Sequence, residues 1–297
     1  MCGISLHAQA VSLLDQLQDI KRLNFCDEPV PLKDPDVQER FEKEFMLILH
    51  DRPQVLLYLK RAPRYMPIIE KIFRDHDVPD DMKYMAVVES ALRPHAGSSK
   101  GAIGFWQFTE STGLKYGLEI NRYVDDRRNI FRSTEAAAKY LSTLKDTLGT
   151  WTLAAAAYNM GENGLFREIE KQGVHDYYRL YLPLETQRFV PKILAVKQIL
   201  SDPERYGFDL SRKESYPIYR AERVTVYLEY PIPIRLIALA AGTDFKEIKD
   251  LNPELRGYDM QVGERSILIP RGSGRSFHKK LDQIIRNWMN AEPVSDE

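Results

Sequence analysis

The chain has 297 residues, 43% hydrophobic and 29% charged, the make-up of an ordinary globular protein with room for one large domain or two modest ones. Its 42 basic residues meet 43 acidic ones for a formal charge of −1, so no strong field marks nucleic acid or an anionic membrane surface as a partner. The two cysteines, Cys2 and Cys26, lie in no spacing used for zinc, a redox dithiol or a disulfide framework, and no metal or other cofactor is expected.

The first ten residues end in Ala8-Gln9-Ala10, a small-x-small triplet of the kind found at secretory cleavage sites, without a basic segment ahead of it. The stretch reads either as a signal remnant or as a plain tail, and Cys2 lacks a recognisable lipobox. The longest uncharged run beyond it, Thr147 to Gly161, is broken by glycine and falls short of the roughly 20 apolar residues that a spanning helix needs.

From Asp36 to about Ser201 apolar residues recur at three- and four-residue spacing, which predicts helices. Phe41, Phe45, Ile48 and Leu49 form one stripe, and Leu56, Leu57 and Leu59 begin another after Pro53. Asp80-Asp81 starts a helix through Met82, Met85, Ala86, Val87 and Val88 that should stop near Arg93, because the residue before Pro94 is steered away from helical geometry. His95 to Gly104, with three glycines and two serines, reads as a loop. Ser133 opens a helix ending at Gly149, Trp151 to Asn159 forms an alanine-rich one, and a last long helix spans Leu184 to Leu200. Pro203, Gly207 and Pro217 then mark a linker. Val224–Tyr227 is a predicted strand, Ile234–Ala241 and Phe245–Leu251 are helices, Ser266–Ile269 is a closing strand, and a helix from Phe277 to Met289 follows.

Glu89 falls in the last turn of its helix among apolar neighbours, where partial desolvation and the negative helix end both disfavour ionisation, as a general acid requires. Alone, it reads more readily as an exposed helix-end carboxylate. The context narrows the choice: Glu89-Ser90 is followed by Gly101-Ala102-Ile103-Gly104-Phe105-Trp106-Gln107, and about 50 residues later by Ala157-Tyr158-Asn159-Met160-Gly161. In order and spacing these segments resemble the family 1 lytic transglycosylases, in particular their membrane-bound murein transglycosylase D branch. Tyr65-Met66-Pro67 and Val78-Pro79-Asp80-Asp81 before the glutamate, and Leu184-Glu185-Thr186-Gln187-Arg188-Phe189-Val190-Pro191 at the end, extend the likeness over residues 35–201.

The resemblance implies a peptidoglycan-cleaving enzyme with Glu89 as its single catalytic acid and base, and a lysozyme-like, mainly α-helical domain. It also implies that Ser98 helps hold Glu89 and the substrate, that Gln107 is the motif glutamine, and that Tyr158 and Asn159 line a sugar subsite. Amide and hydroxyl groups suit an amino sugar, and an aromatic face such as that of Trp106 suits the apolar side of its ring, a reading favoured over the alternative of Trp106 and Phe105 as core aromatics. The implied reaction breaks the bond between N-acetylmuramic acid and N-acetylglucosamine without water, leaving a 1,6-anhydro end. A goose-type muramidase and a non-catalytic wall-binding protein are the alternatives, the first because Glu110, Asp125, Asp126, Glu162 or Glu185 could supply the second carboxylate that a hydrolase uses. The sequence departs from the pattern at Phe189, where the family has a tyrosine whose hydroxyl bonds the glutamate, and at Met160, usually alanine. Asp125-Asp126-Arg127-Arg128 reads as a structural turn with ion pairs, and His95 as a loop residue.

Ile237 to Thr243, Leu251-Asn252-Pro253 and Ile267-Leu268-Ile269-Pro270 look like a lysin motif, a module for N-acetylglucosamine chains, although its usual Gly-Asp-Thr-Leu turn is replaced by Tyr230 to Ile234. The expected plan is an N-terminal segment (1–34), a catalytic domain (35–205), a linker (206–218), a small α+β lysin-motif-like domain of βααβ order (219–271) and a tail (272–297). The implied partner is the peptidoglycan glycan strand, met by a monomer in the bacterial periplasm or cell envelope, with membrane association through a signal or lipid anchor left open.

Overall fold

The computed structural model describes residues 16–17, 19–211 and 213–290. Cys2 and the Ala8-Gln9-Ala10 triplet lie outside the described residues. The chain is mainly helical, as the apolar spacing predicts, and it forms two compact units. One takes the described residues up to Leu59 with Val78–Val88 and Leu141–Glu214, and the other takes Lys60–Asp77, Glu89–Tyr140 and Ser215 onward. This division crosses the boundaries drawn from the sequence, because the stretch read as one catalytic domain contributes to both units.

In the first unit a short ribbon pairs β1 (Asn24–Phe25) with β2 (Glu28–Pro29). Helix α1 (Pro35–His50) starts at Asp34, whose carboxylate accepts the Asp36 N–H, with proline at the first position where its missing N–H costs nothing. It turns Phe41, Phe45 and Leu49 inward and is followed by α2 (Arg52–Asp75), which carries Pro63 and Pro67 in its interior. A 3₁₀ turn over Asp80–Met82 leads into α3 (Lys83–Ser90), which is shorter than the sequence predicts. Ala91 and Leu92 adopt left-handed φ of 54° and 57°, and this ends the helix three residues before Arg93.

Helix α4 (Glu110–Lys115), capped by Thr109, was not foreseen, and α5 (Ile130–Leu148) begins three residues ahead of Ser133. Helices α6 (Trp151–Met160) and α7 (Glu162–Gln172) follow, α6 capped by the Thr150 hydroxyl on the Leu153 N–H. The single helix expected from Leu184 to Leu200 is two, α8 (Leu184–Gln187) and α9 (Phe189–Ser201), joined at Arg188. Arg188 is held by the buried carboxylate of Glu44 in α1, against which α9 packs. The start of the predicted linker is docked, not free: Tyr206 meets Phe45 edge-on at 5.4 Å, and the Arg52 guanidinium lies 4.1 Å from the Phe208 ring.

In the second unit β3 (Ala221–Leu228) pairs antiparallel with β6 (Gly263–Pro270) over their full length. Alternate residues Val224, Val226 and Leu228, with Ile267 and Ile269, turn inward under α10 (Ile234–Ala241) and α11 (Phe245–Leu251). The expected βααβ order is present, with both strands longer than predicted. A small ribbon of β4 (Ile232–Pro233) and β5 (Asp259–Met260) is added, and α12 (Gly274–Asn290) drives Phe277 and Leu281 into the same core.

Candidate active site

Glu89 stands half-buried at the end of α3, a helix whose Met82, Met85, Ala86 and Val87 are wholly enclosed. The carbonyls at a helix C-terminus need partners, and here two guanidinium groups supply them. Arg93 Nε donates to Ser90 O at 3.1 Å, and Arg61 Nη1, from α2, donates to Ala91 O at 3.1 Å. Sequence reasoning placed only the negative helix end near Glu89; the two cations that close that end were missed, and Arg61 lies too far along the chain for any local pattern to reveal it.

The loop after α3 is knit to itself. Gly104 N–H donates to Ala96 O at 2.9 Å, Ile103 N–H to Phe108 O at 3.0 Å, and Ser98 N–H to Ala102 O at 2.9 Å. Ser98 is exposed, and its hydroxyl accepts the Ala102 N–H at 3.2 Å, so it shapes the turn while its side chain faces solvent. Gln107 sits in the same loop with a left-handed φ of 49°, its Nε2 donating to Gly104 O at 2.9 Å. Ala91, Leu92 and Gln107 thus all carry a backbone conformation that costs a non-glycine residue on the order of 1 kcal/mol, which persists only where the surroundings impose it.

Trp106 corrects the sequence reading. Its ring is 0% exposed, tilted against Phe73 with centroids 5.2 Å apart, and Nε1 donates to the Thr134 hydroxyl of α5 at 3.0 Å. An indole so enclosed cannot cover a sugar ring; it is a core aromatic that anchors the backbone next to Gln107. Phe105 is likewise buried, edge-on to Tyr65.

Asp125 and Arg127 form a buried bidentate pair, Nε to Oδ1 at 2.8 Å and Nη2 to Oδ2 at 3.0 Å. Arg127 Nη1 also reaches Gly101 O at 3.2 Å and Phe108 O at 3.3 Å, the two ends of the glutamine loop. The acidic-basic run therefore has a structural task, as read from sequence, and that task bears directly on Gln107. His95 lies on this loop with Nδ1 3.1 Å from Arg128 Nη1; partial desolvation of the ring and the neighbouring Arg128 and Arg256 hold its pKa below the usual histidine value.

Tyr158 and Asn159 lie in the other unit, half-buried at the end of α6 beyond four fully enclosed alanines. Gly161 closes the helix with φ 89°. Asn159 Oδ1 accepts the hydroxyl proton of the buried Thr186 at 2.9 Å, which fixes the oxygen side of the amide and leaves NH₂ as its donor side. Tyr177 fixes the same corner, its hydroxyl lying 2.9 Å from the carbonyls of Thr186 and Gln187. Phe189, at the departure from the family pattern, is buried in this unit. Thr186 and Tyr177 were not singled out from the sequence as positioning groups, because their partners depend on how α6, α8 and the preceding loop pack.

Comparison with known proteins bears on these residues. Residues 66–180, which include Glu89, Ser98, Gln107, Tyr158 and Asn159, match the model of the Transglycosylase SLT domain. Two curated relatives, the membrane-bound lytic murein transglycosylase D of Escherichia coli K12 and that of Escherichia coli O6:H1, are each 34% identical over 228 residues, covering 74% of this chain. The chain spans about half the length of these relatives, 49% in each case.

Proposed function

From the premise that this chain belongs to the SLT-domain transglycosylases, we propose that it is a peptidoglycan lytic transglycosylase that cleaves the β-1,4 bond between N-acetylmuramic acid and N-acetylglucosamine. The observation that carries the reading is Glu89 at the end of a buried helix, followed by a loop that fixes Gln107 in a left-handed conformation. Glu89 protonates the glycosidic oxygen, the substrate's own 2-acetamido group stabilises the positive centre, and Glu89 then takes the proton of the C6 hydroxyl as the 1,6-anhydro ring closes. One carboxyl serves as acid and then base, so no second protein carboxylate is required.

Gln107, Tyr158 and Asn159 bind the sugars through amide and hydroxyl groups, and Ser98 contributes from the turn before Gln107. The NH₂ of Asn159, on the side of the amide away from its bond to Thr186, suits a carbonyl acceptor such as that of an N-acetyl group. Residues 219–271 act as a lysin-motif-like glycan-binding part, supported by their βααβ order. Among the described residues no helix is long and apolar enough to cross a membrane. The site of action that this substrate requires is the bacterial cell envelope, on its periplasmic side, where the protein works as a monomer.

The test is incubation of the protein and of Glu89→Gln with bacterial sacculi, followed by mass spectrometry of the released muropeptides. Products lighter by one water than hydrolysed muropeptides, and absent with Glu89→Gln, are expected. Reducing-end products would replace this reading with a muramidase, and no products from either protein would leave a wall-binding role.

A further inference from the structure

We propose that Glu254–Arg256, in the C-terminal part of the chain, is a strut that holds the Gln107 loop in its working conformation. The inference rests on the reading of Gln107 as a substrate-binding residue, and it makes the C-terminal part a component of the site, beyond any role in binding glycan. The connection runs through four steps inside one compact unit.

Residues 254–256 lie antiparallel to residues 123–125. Asp125 N–H donates to Glu254 O at 2.9 Å, Arg256 N–H donates to Tyr123 O at 2.6 Å, and Val124 faces Leu255 in an isolated bridge. The residue so fixed, Asp125, then clamps Arg127 through two hydrogen bonds. Arg127 in turn binds the carbonyls of Gly101 and Phe108. Between those carbonyls sits Gln107, whose left-handed φ needs an external constraint.

The attachment is reinforced on both sides of the strut. Arg265 of β6 pairs with Glu119, whose N–H donates to Asp126 Oδ2 at 3.1 Å. Arg223 of β3 lies 4.6 Å from the Phe131 ring, just past the Asp125–Arg128 turn. A module tethered only by a linker would need none of these contacts. Arg127 and the strut are positioning groups, since none of them is assigned a contact with substrate.

The test removes one backbone donor. Arg256→Pro deletes the N–H that bonds Tyr123 O, whereas Arg256→Ala deletes the side chain and keeps that N–H. Amide hydrogen exchange is followed at Ile103 and Gly104, whose N–H groups bond within the loop, and at the amides of α9 in the other unit as a check on folding. In Arg256→Pro the two loop amides are expected to exchange about tenfold or more faster with α9 unchanged, and kcat/KM for anhydro-muropeptide release to fall by about the same factor. Arg256→Ala should stay within about twofold of the unmodified chain in both readouts. If Arg256→Pro does not fold, Leu255→Ala loosens the same pairing and is read the same way.

Unchanged exchange at Ile103 and Gly104 in the folded variant overturns the strut. An unmodified protein that releases no anhydro product would overturn the proposed activity instead, and the exchange data would still decide the strut.

Discussion

The backbone carbonyl of Arg127 occupies the space that a β-carbon at Gly104 would need: an added carbon would stand 1.8 Å from the Arg127 oxygen and 2.5 Å from its carbonyl carbon. Gly104 also has φ +84°, so two separate constraints demand glycine there. Gly101 in the same loop has φ +78° with open space around it. Gly101→Ala should therefore cost only the conformational strain, about 1 kcal/mol, whereas Gly104→Ala must move backbone and should cost on the order of 3 kcal/mol or more. Urea unfolding of the two variants checks this, and equal midpoints would mean that the close approach to Arg127 does not govern the loop.

The Asp125–Arg127 pair can be probed by what is left behind when one partner goes. Both side chains are more than nine-tenths buried. Asp125→Ala strands the guanidinium without a counter-ion and should destabilise by about 3 to 5 kcal/mol, while Asp125→Asn keeps one acceptor for Arg127 Nε and should cost clearly less. Chemical denaturation separates the two. A cost for Asp125→Ala below that of Asp125→Asn would contradict the clamp.

Most helices of the first 200 residues were legible because a buried stripe at helical spacing is written locally, and the C-terminal βααβ order because Val224, Val226 and Leu228 alternate with exposed residues. What was hidden depends on partners far along the chain. The end of α3 is set by left-handed Ala91 and Leu92, neither a residue type that announces that conformation. The break at Arg188 answers to Glu44, 144 residues away. Trp106 next to a motif glutamine suggested a sugar platform, and only the Thr134 hydroxyl, 28 residues on, reveals the indole as core. Asp125 to Arg128 were recognised as an ion-pair turn, but its grip on Gly101 and Phe108 required the folded chain.

Thr186 orients Asn159 and should act only through it. Thr186→Val removes the hydroxyl that donates to Asn159 Oδ1 while keeping the shape, so the amide is free to turn and Oδ1 loses a partner. If Asn159 binds an N-acetyl group, KM for glycan should rise with little loss of stability, by a factor that reflects one hydrogen bond of about 1 kcal/mol. Thr186→Ser, which retains the hydroxyl, should restore KM. Steady-state kinetics on soluble glycan oligomers would show it, and an unchanged KM in Thr186→Val would detach Thr186 from the sugar subsite proposed for Asn159.

Glu254 provides the pH test. Its side chain is 2% exposed, and burial above all, with the nearby Asp126 carboxylate adding to it, pushes its pKa up from 4.5 to about 7; Asn129, which bonds the carboxyl, and Arg265 oppose the shift. Asp126, itself raised chiefly by burial, faces Glu119, Arg132 and Arg265. A carboxyl whose folded pKa lies above its unfolded value binds its proton more tightly in the native state, so its contribution is complete below about 4.5 and is lost as pH rises towards and through 7. A shift of that size corresponds to about 3 kcal/mol across the window. The unmodified protein should therefore lose stability between pH 5 and 8. Glu254→Gln, which cannot ionise and keeps the polar shape, should hold nearly constant stability over the same range, so that the two unfolding curves converge at pH 5 and separate at pH 8. Parallel pH dependences would show that Glu254 is already ionised in the folded chain throughout this range.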